Sequence, residues 1–422
     1  VSSVEPSSHD AAVCTIAVDN HENNDYRPYA FRTTDYGRTW TAVVSGLGPD
    51  APVRVVREDR KEAGLLYAGT ETGAYVSFNA GARWQPLQLN LPATPVHDLA
   101  WKDDDLVAAT HGRGFWILDD LSPLQFLRAL VVRSNLSTGN MSVASPLLFK
   151  PRDAYRVRWG GSTPGNGANP PSGVLFNYYL PADANDVKFE IRDGEGKVVQ
   201  SMPAPKTKGF QRASAFLQYP SYKQVPNMIM WAAFPRPILA PPGTYTVTML
   251  VDGAKHDQKF RWLKDPRSSS SDKDLVEQFR FLQRSASRVD EANGAVLRIR
   301  ALRTGIENAL KDLDAKPNPA LRERVVKFQS DLTAVEESVY QTKNRSGQDP
   351  LNYPIRLNNK IAALMGTVGT GDFRPTDQSH QVFDLLSKLL ANELSKLNTL
   401  TGKELASLNQ ALRAAGYAEI KD

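Results

Sequence analysis

Two eight-residue segments of this chain repeat one pattern. Residues 33–40 read Thr-Thr-Asp-Tyr-Gly-Arg-Thr-Trp, and residues 77–84 read Ser-Phe-Asn-Ala-Gly-Ala-Arg-Trp, 44 positions later. The pattern predicts a tight turn between two strands. In this turn the Asp or Asn accepts backbone N–H bonds, the Gly adopts a conformation disfavoured for residues with a Cβ, and the Trp packs back between the strands. We therefore assign structural roles to Asp35, Gly37, Trp40, Asn79, Gly81 and Trp84.

The repeat length is about that of one four-stranded blade of a β-propeller. Strand-like runs flank both turns, and a third unit without the turn motif follows at residues 96–118. The pattern predicts about three blades. Because known propellers have at least four, we expect the ring to be completed by upstream residues or by a second chain.

The spacing of apolar residues predicts two further structural parts after the blades. Alternating runs such as Val187–Ile191 and Tyr245–Val251, joined by Asp-Gly turns, predict an immunoglobulin-like β-sandwich. After residue 267 the apolar period changes from 2 to 3.6, which predicts an antiparallel helical bundle. The fold class is therefore multidomain, β then α, with propeller blades at 1–147, the sandwich at 148–267 and the bundle at 268–422.

Two details of the bundle are specific expectations. In its fourth helix Val382, Leu386, Leu389 and Leu390 should face inward. Thr401 to Glu404 reads as a capping box that starts a last helix.

Composition limits the partners. The 51 basic and 46 acidic residues give a net charge of +5 without any block of like charge, so nucleic acid is not expected. No run approaches the ~20 apolar residues of a membrane-spanning helix. The single cysteine, Cys14, excludes an internal disulfide and reads as a buried small hydrophobe. The six histidines lack zinc spacing and Asp103–Asp105 lacks that of a calcium loop, so no metal or other cofactor is expected.

The chain resembles a known family. Residues 33–40, the run Tyr67–Gly73 and the run Ala109–Asp120 are similar to large bacterial proteins with Asp-box (BNR) repeats. Those proteins resemble sortilin-like and xyloglucanase-like propellers and are often labelled glycosyl hydrolases. The resemblance covers essentially the whole chain, as their C-terminal part, and it implies a secreted, periplasmic or cell-envelope protein.

The propeller face opposite the Asp-box turns is where ligand residues are expected, since loops there carry function in such scaffolds. The predicted ligand-binding rim consists of His21, Arg27, Glu71, His111 and Arg113. His111 and Arg113 could clamp an anionic group. A glycosidase needs two carboxylates, for which Glu71 and Asp25 are the candidates on this chain.

Two main functions follow, and an assembly factor for a membrane complex, as some Asp-box propellers are, is a third. The first is an extracytoplasmic binding or scaffold protein with a carbohydrate or protein ligand. The alternative is a glycoside hydrolase, sialidase-like or xyloglucanase-like, with catalytic residues mainly on blades outside this chain. The sequence leaves open whether the protein is an enzyme. Its expected partners are the remaining blades and a glycan or protein ligand.

Overall fold

The structure is a computed structural model that describes residues 1–133, 144–157 and 167–421, with the side chain of Arg133 excepted. It consists of β-sheets followed by helices. No helix in these ranges is long and apolar enough to cross a membrane.

The first 118 residues form three antiparallel sheets, which we call the first, second and third blades. The first blade contains β1 (Ser3–Pro6), β2 (Cys14–Asn20), β3 (Asp25–Thr33) and β4 (Thr41–Ala42) in that order. The second contains β5 (Val53–Glu58), β6 (Leu66–Thr70), β7 (Gly73–Ser77) and β8 (Gln85–Pro86). The third contains β9 (Val96–Lys102), β10 (Asp105–Thr110) and β11 (Phe115–Leu118). Each is a simple meander, so strand order in space follows strand order in sequence.

The blades pack face to face through apolar side chains. Strands β1 and β2 contact β5, and β5 and β6 contact β9. Ala17, Ala30, Val53, Leu66 and Trp84 share the core between the first and second blades. A second core, which includes Val55, Tyr67, Leu99 and Leu106, lies between the second and third. Cys14 on β2 is half-buried, and burial raises the pKa of its thiol, so it remains an unreactive neutral group.

A helix, α1 (Ser122–Arg133), follows the third blade. Asp120 starts it, because its carboxylate accepts hydrogen bonds from the amide and hydroxyl of Ser122, at 3.1 and 2.6 Å. Leu121, Leu127 and Val131 then bury the apolar side of this helix in the core between the second and third blades.

The middle of the chain forms two facing sheets and a short ribbon. Its strands in chain order are β12 (Leu147–Leu148), β13 (Ala154–Arg156), β14 (Val174–Leu180), β15 (Val187–Arg192), β16 (Val198–Pro203), β17 (Gly209–Ala215), β18 (Gln218–Tyr219), β19 (Ile238–Leu239), β20 (Gly243–Val251) and β21 (Ala254–Lys264). The sheet β12-β14-β17 faces the sheet β13-β21-β20-β15-β16, and β18 pairs with β19. Phe176 of the first sheet lies 5.0 Å from Phe189 and 5.9 Å from Phe260 of the second, measured between ring centroids. This aromatic layer holds the two sheets together.

The helical part contains α2 (Asp272–Ala315), α3 (Pro319–Val339), α4 (Leu357–Val368), α5 (Asp377–Thr399) and α6 (Leu405–Ala414). Ser271 and Asp274 form a reciprocal capping box that starts α2. The buried residues of the sheets and of these helices belong to one continuous apolar core. The middle and C-terminal parts are therefore packed as one body.

One expectation for the helices is half right and another is wrong. Leu386 and Leu390 of α5 are buried as predicted, together with Phe383 and Leu397. Val382 and Leu389, also predicted to face inward, are 43% and 44% exposed and lie beside the buried stripe. Thr401 to Glu404 is not a cap, because a π-helical segment, Leu400–Glu404, joins α5 to α6 without a break. The Thr401 hydroxyl donates to the Leu397 carbonyl at 3.0 Å instead.

Candidate functional site

The two ends of the blades carry different kinds of connection. The motif turns of residues 34–40 and 78–84 lie between the third and fourth strands of their blades, as expected from the sequence. The connections between second and third strands, at residues 21–24, 71–72 and 111–114, lie at the opposite end, because successive turns of a meander alternate between ends. We call this second end the rim.

The first motif turn is held together by its own side chains. The Asp35 carboxylate accepts hydrogen bonds from the Thr39 amide at 2.9 Å, the Thr39 hydroxyl at 2.6 Å and the Thr33 hydroxyl at 2.8 Å. These bonds, with that from the Thr39 side chain the strongest, lower the pKa of Asp35 to about 2. Gly37 has φ +83°, in the left-handed region where a Cβ is disfavoured.

The second motif turn repeats this geometry with an amide. The side-chain oxygen of Asn79 accepts from the Arg83 amide at 2.9 Å and from the Ser77 hydroxyl at 3.0 Å. Gly81 has φ +85°. An uncharged oxygen is therefore sufficient for the turn, and the charge of Asp35 is an addition specific to the first blade.

The two motif tryptophans differ in environment. Trp84 is 2% exposed, and its indole N–H donates to the Val43 carbonyl of the first blade at 2.8 Å. Trp40 is 42% exposed, and its indole N–H reaches only the Gly37 carbonyl of its own turn, at 3.1 Å. Trp84 thus joins its blade to the preceding one, whereas Trp40 has no preceding blade to contact among the described residues.

The charge on Asp35 predicts a pH dependence. The unfolded carboxyl titrates near 3.9 and the folded one at about 2, so its stabilising contribution is present above about pH 4 and is lost as the pH falls towards 2. We expect Asp35→Asn to be less stable than the wild type at pH 7, and the difference to disappear as the pH falls through about 2. Urea unfolding at several pH values measures this. Asp50→Asn, at an exposed position, is the control, and a pH-independent difference for Asp35→Asn would contradict the assignment.

At the rim, an arginine joins the first and second blades. Arg54 on β5 donates through Nε and one terminal nitrogen to Glu71, at 3.0 and 2.6 Å, and through the other to Asp19 at the end of β2. His21 contacts the same Asp19 carboxylate through Nδ1 at 2.8 Å. Partial burial raises the pKa of Asp19, but the hydrogen bonds from His21 and the charge of Arg54 outweigh it and hold the pKa below its usual range. Glu71 and His21 are therefore both members of one ionic network.

Asp25 belongs to a separate cluster. Its carboxylate accepts two hydrogen bonds from Arg27, at 2.9 and 2.8 Å, and one from the Tyr29 hydroxyl at 2.7 Å. The bonds from Arg27 and then from Tyr29 hold its pKa well below the usual range, so the group stays ionised. An ionised carboxyl cannot serve as the general acid of a glycosidase. Asp25 is thus bound by Arg27, whereas Glu71 is bound by Arg54.

The third blade contributes exposed basic residues to the rim. His111 packs against His97, with ring centroids 5.1 Å apart. The turn that contains His111 is closed by the Gly114 carbonyl, which accepts hydrogen bonds from the amide and hydroxyl of Thr110 at 3.1 and 2.6 Å. Arg113 lies at its tip, exposed, and its guanidinium makes no hydrogen bond or ion pair with the described residues. Gly112 and Gly114 both have positive φ, which lets the backbone turn this tightly.

The sequence interpretation missed Asp19, Arg54, Arg57 and His97. Arg57 on β5 joins the second and third blades through Asp98 at 2.7 Å and also contacts Glu5 of β1 at 3.3 Å. The available signal was the run Val53–Arg57, in which two arginines interrupt an otherwise apolar strand. No cluster of three or more His, Cys, Asp or Glu residues suited to a metal ion occurs in the described ranges.

Comparisons with known proteins add little. No protein-family model matches the chain, and no curated protein matches it. Three solved structures share 11–14% sequence identity with the chain. CopC from Methylosinus trichosporium OB3b has 14% identity and a TM-score of 0.16, over 30% of this chain and 99% of that one. YCF48 bound to D1 peptide has 11% identity and a TM-score of 0.22, over 64% of this chain and 79% of that one.

The third structure is an ancestral GH74 enzyme, with 13% identity and a TM-score of 0.19, over 60% of this chain and 34% of that one. At such low scores these similarities carry no argument about the fold or the site. The functional interpretation therefore depends on the geometry of the chain itself.

Proposed function

We propose that this chain is part of an extracytoplasmic, Asp-box-type β-propeller protein that binds a ligand at the rim, with an immunoglobulin-like sandwich and a helical bundle attached. The observation that carries the proposal is the distribution of charge at the rim. The carboxylates of Asp19, Asp25 and Glu71 are each bound by an arginine. In contrast, the side chain of Arg113 is exposed in the loop that also contains His111, whose ring packs against His97.

Such a distribution favours binding of an anionic group over acid–base catalysis. An exposed guanidinium forms short, bidentate hydrogen bonds with carboxylates, and the imidazole of His111 in the same loop can act as a further donor. Hydrolysis of a glycoside would instead require a protonated carboxyl next to a free carboxylate. We therefore propose that the ligand presents a carboxylate, either as an acidic sugar or as part of a peptide. If the protein is a glycoside hydrolase, its acid and nucleophile belong to other blades.

Both ends of the three-blade arc support completion of the ring by further blades, from upstream residues or another chain. On the first blade, Val4 and Trp40 are 59% and 42% exposed. On the edge strand of the third blade, Phe115 and Ile117 are 79% and 58% exposed. A closed ring would cover both faces, as the internal faces of the second blade are covered here.

The test measures binding of two carboxylate probes, tetragalacturonate and a short acidic peptide with a free C-terminus, by isothermal titration calorimetry at low salt. We expect one of them to bind the wild-type chain and Arg113→Gln to weaken that binding about 10-fold or more, because a hydrogen bond to a charged group contributes ~1.5–3 kcal/mol. Arg322→Gln, which removes an exposed arginine of α3, is the matched control. Failure of both probes, or equal affinity for Arg113→Gln and the wild type, would reject the proposed site.

A further inference from the structure

A cavity of about 670 Å³ lies where the middle sheets meet the helices, far along the chain from the rim. Its walls include Phe216 and Ile238 from the sheet side and Leu282, Ala363 and Met365 from α2 and α4. Most of this lining is apolar. The volume lies within the range of about 300–1,000 Å³ that is typical of small-molecule sites.

One wall is formed by the long connection between β18 and β19, residues 220–237, which has no regular secondary structure. Loops of this length within a packed body are uncommon and are usually functional. The connection is fixed to α4 at Trp231, whose amide donates to the Asn359 side chain and whose carbonyl accepts from it, both at 2.7 Å. A second contact lies at Ile229, whose amide donates to the hydroxyl of Tyr340, the residue that follows α3, at 3.1 Å. The wall is thus held in place without a ligand.

The backbone at the mouth is also constrained. Ala232 has φ +50°, in the left-handed region that non-glycine residues rarely adopt. Such conformations persist only where surrounding contacts impose them, and they are concentrated at ligand sites. Next to it, Phe234 is 70% exposed although it borders the cavity. An apolar ring at the entrance is available to cover the apolar part of a ligand.

The charged residues that line the cavity are basic. It contains two arginines, Arg156 and Arg236, and no acidic residue among the described residues that form it. Arg156 is 2% exposed and forms an ion pair with Asp372 at 2.8 Å, so its charge is already balanced inside the protein. The exposed guanidinium of Arg236 has no hydrogen bond or ion pair with the described residues. Arg236 is therefore the cation at the mouth that can receive an anion.

We propose that this cavity binds a small amphipathic carboxylic acid, with its apolar body along Phe216, Leu282 and Met365 and its carboxylate at Arg236. The apolar lining accounts for the body, because transfer of apolar surface from water drives binding. The unpaired Arg236 accounts for the acid, because a guanidinium pairs with a carboxylate through parallel hydrogen bonds. The site is separate from the rim and does not depend on the function proposed for it.

The experiment uses the full chain and decanoate, with decan-1-ol as the uncharged analogue, in isothermal titration calorimetry. We expect decanoate to bind with 1:1 stoichiometry and decan-1-ol to bind at least 10-fold more weakly. Arg236→Gln, at an exposed position, should lower decanoate affinity about 10-fold and remove the preference over the alcohol, with retained folding checked by circular dichroism. Arg413→Gln, which removes an exposed arginine of α6, should change neither value.

A second variant tests the cavity itself. Ala363→Trp places a large ring inside the cavity from α4 and should abolish decanoate binding, with retained folding checked by circular dichroism. Absence of decanoate binding to the wild type would overturn the proposal. So would unchanged binding by a folded Ala363→Trp, or equal effects of Arg236→Gln and Arg413→Gln, since the ligand would then bind elsewhere.

Discussion

Trp84→Ala is expected to lower the free energy of unfolding by about 3–5 kcal/mol, the usual cost of truncating a buried tryptophan. Trp84 is 2% exposed and fills the core between the first and second blades. Its indole N–H donates to the Val43 carbonyl, and its amide donates to the Ser45 carbonyl, both at 2.8 Å. Removal of the ring would leave a cavity and an unsatisfied carbonyl at the same junction. Urea unfolding followed by circular dichroism measures the loss.

Trp40 provides the matched control, because it holds the same position in the same motif one blade earlier. It is 42% exposed, and its indole bonds only to its own turn. We expect Trp40→Ala to cost about 1 kcal/mol or less in this chain, as for most changes outside a packed core. In a protein that contains the remaining blades, the cost should approach that of Trp84→Ala. Equal costs for both variants in this chain would show that the tryptophans act within their own turns and not between blades.

Arg156→Met is expected to destabilise the chain by about 3–5 kcal/mol, since it removes a buried cation that forms an ion pair and a hydrogen bond across the protein. Arg156 is 2% exposed and pairs with Asp372, whose side chain is 14% exposed. Its other terminal nitrogen lies 3.3 Å from the side-chain oxygen of Gln278 on α2. Arg156 therefore adds a charged link between β13 and the helices to the apolar core that they share. Thermal and urea unfolding of the variant measure the effect.

The double variant Arg156→Met/Asp372→Asn should recover part of this loss, because the carboxylate that faced Arg156 is then neutral as well. Arg261→Met is the control on a neighbouring strand. Arg261 pairs with Asp153 at side-chain exposures of 64% and 37%, and exposed pairs contribute about 0–1 kcal/mol. A loss for Arg156→Met no larger than that for Arg261→Met would show that the buried pair does not hold the two parts together.

The motif turns could be predicted in detail because their contacts are local. Thr33, Asp35 and Thr39 bond to one another within seven residues of chain, and Ser77, Asn79 and Arg83 repeat the arrangement. The strands of the blades and the alternating strands of the middle sheets were predicted for a related reason. Each contains its own period-2 pattern, and each hairpin turn is adjacent to both of its strands.

In the helical part, the local sequence pattern was not sufficient to predict which residues are buried. The sequence 382–390 contains more apolar residues than one helix face can bury, so periodicity identified Leu386 and Leu390 but did not distinguish Val382 and Leu389 from Phe383. The neighbouring helices decide which stripe is covered, since α5 contacts α2, α3 and α4. The same packing buries Leu400 and Leu405 and keeps the helix continuous where the sequence resembles a cap.

At the rim, the sequence identified the loops but not the partners of their side chains. His21, Glu71, His111 and Arg113 lie in the connections expected to carry them. Whether a carboxylate there is free depends on which arginine the adjacent blade places beside it. Arg54 lies 17 residues before Glu71 and 35 residues after Asp19, and no local pattern predicts that it binds both.

The sequence by itself determined the turns, the blade length and the order of β and α parts, because these depend on hydrogen bonds and apolar periods within a few residues. The tertiary structure alone decided which of two identical motif tryptophans is buried, which carboxylates are neutralised, and where a cavity remains between sheets and helices. Those properties depend on pairs of residues far apart in sequence. Their energies arise only when another blade, sheet or helix excludes water from the same place.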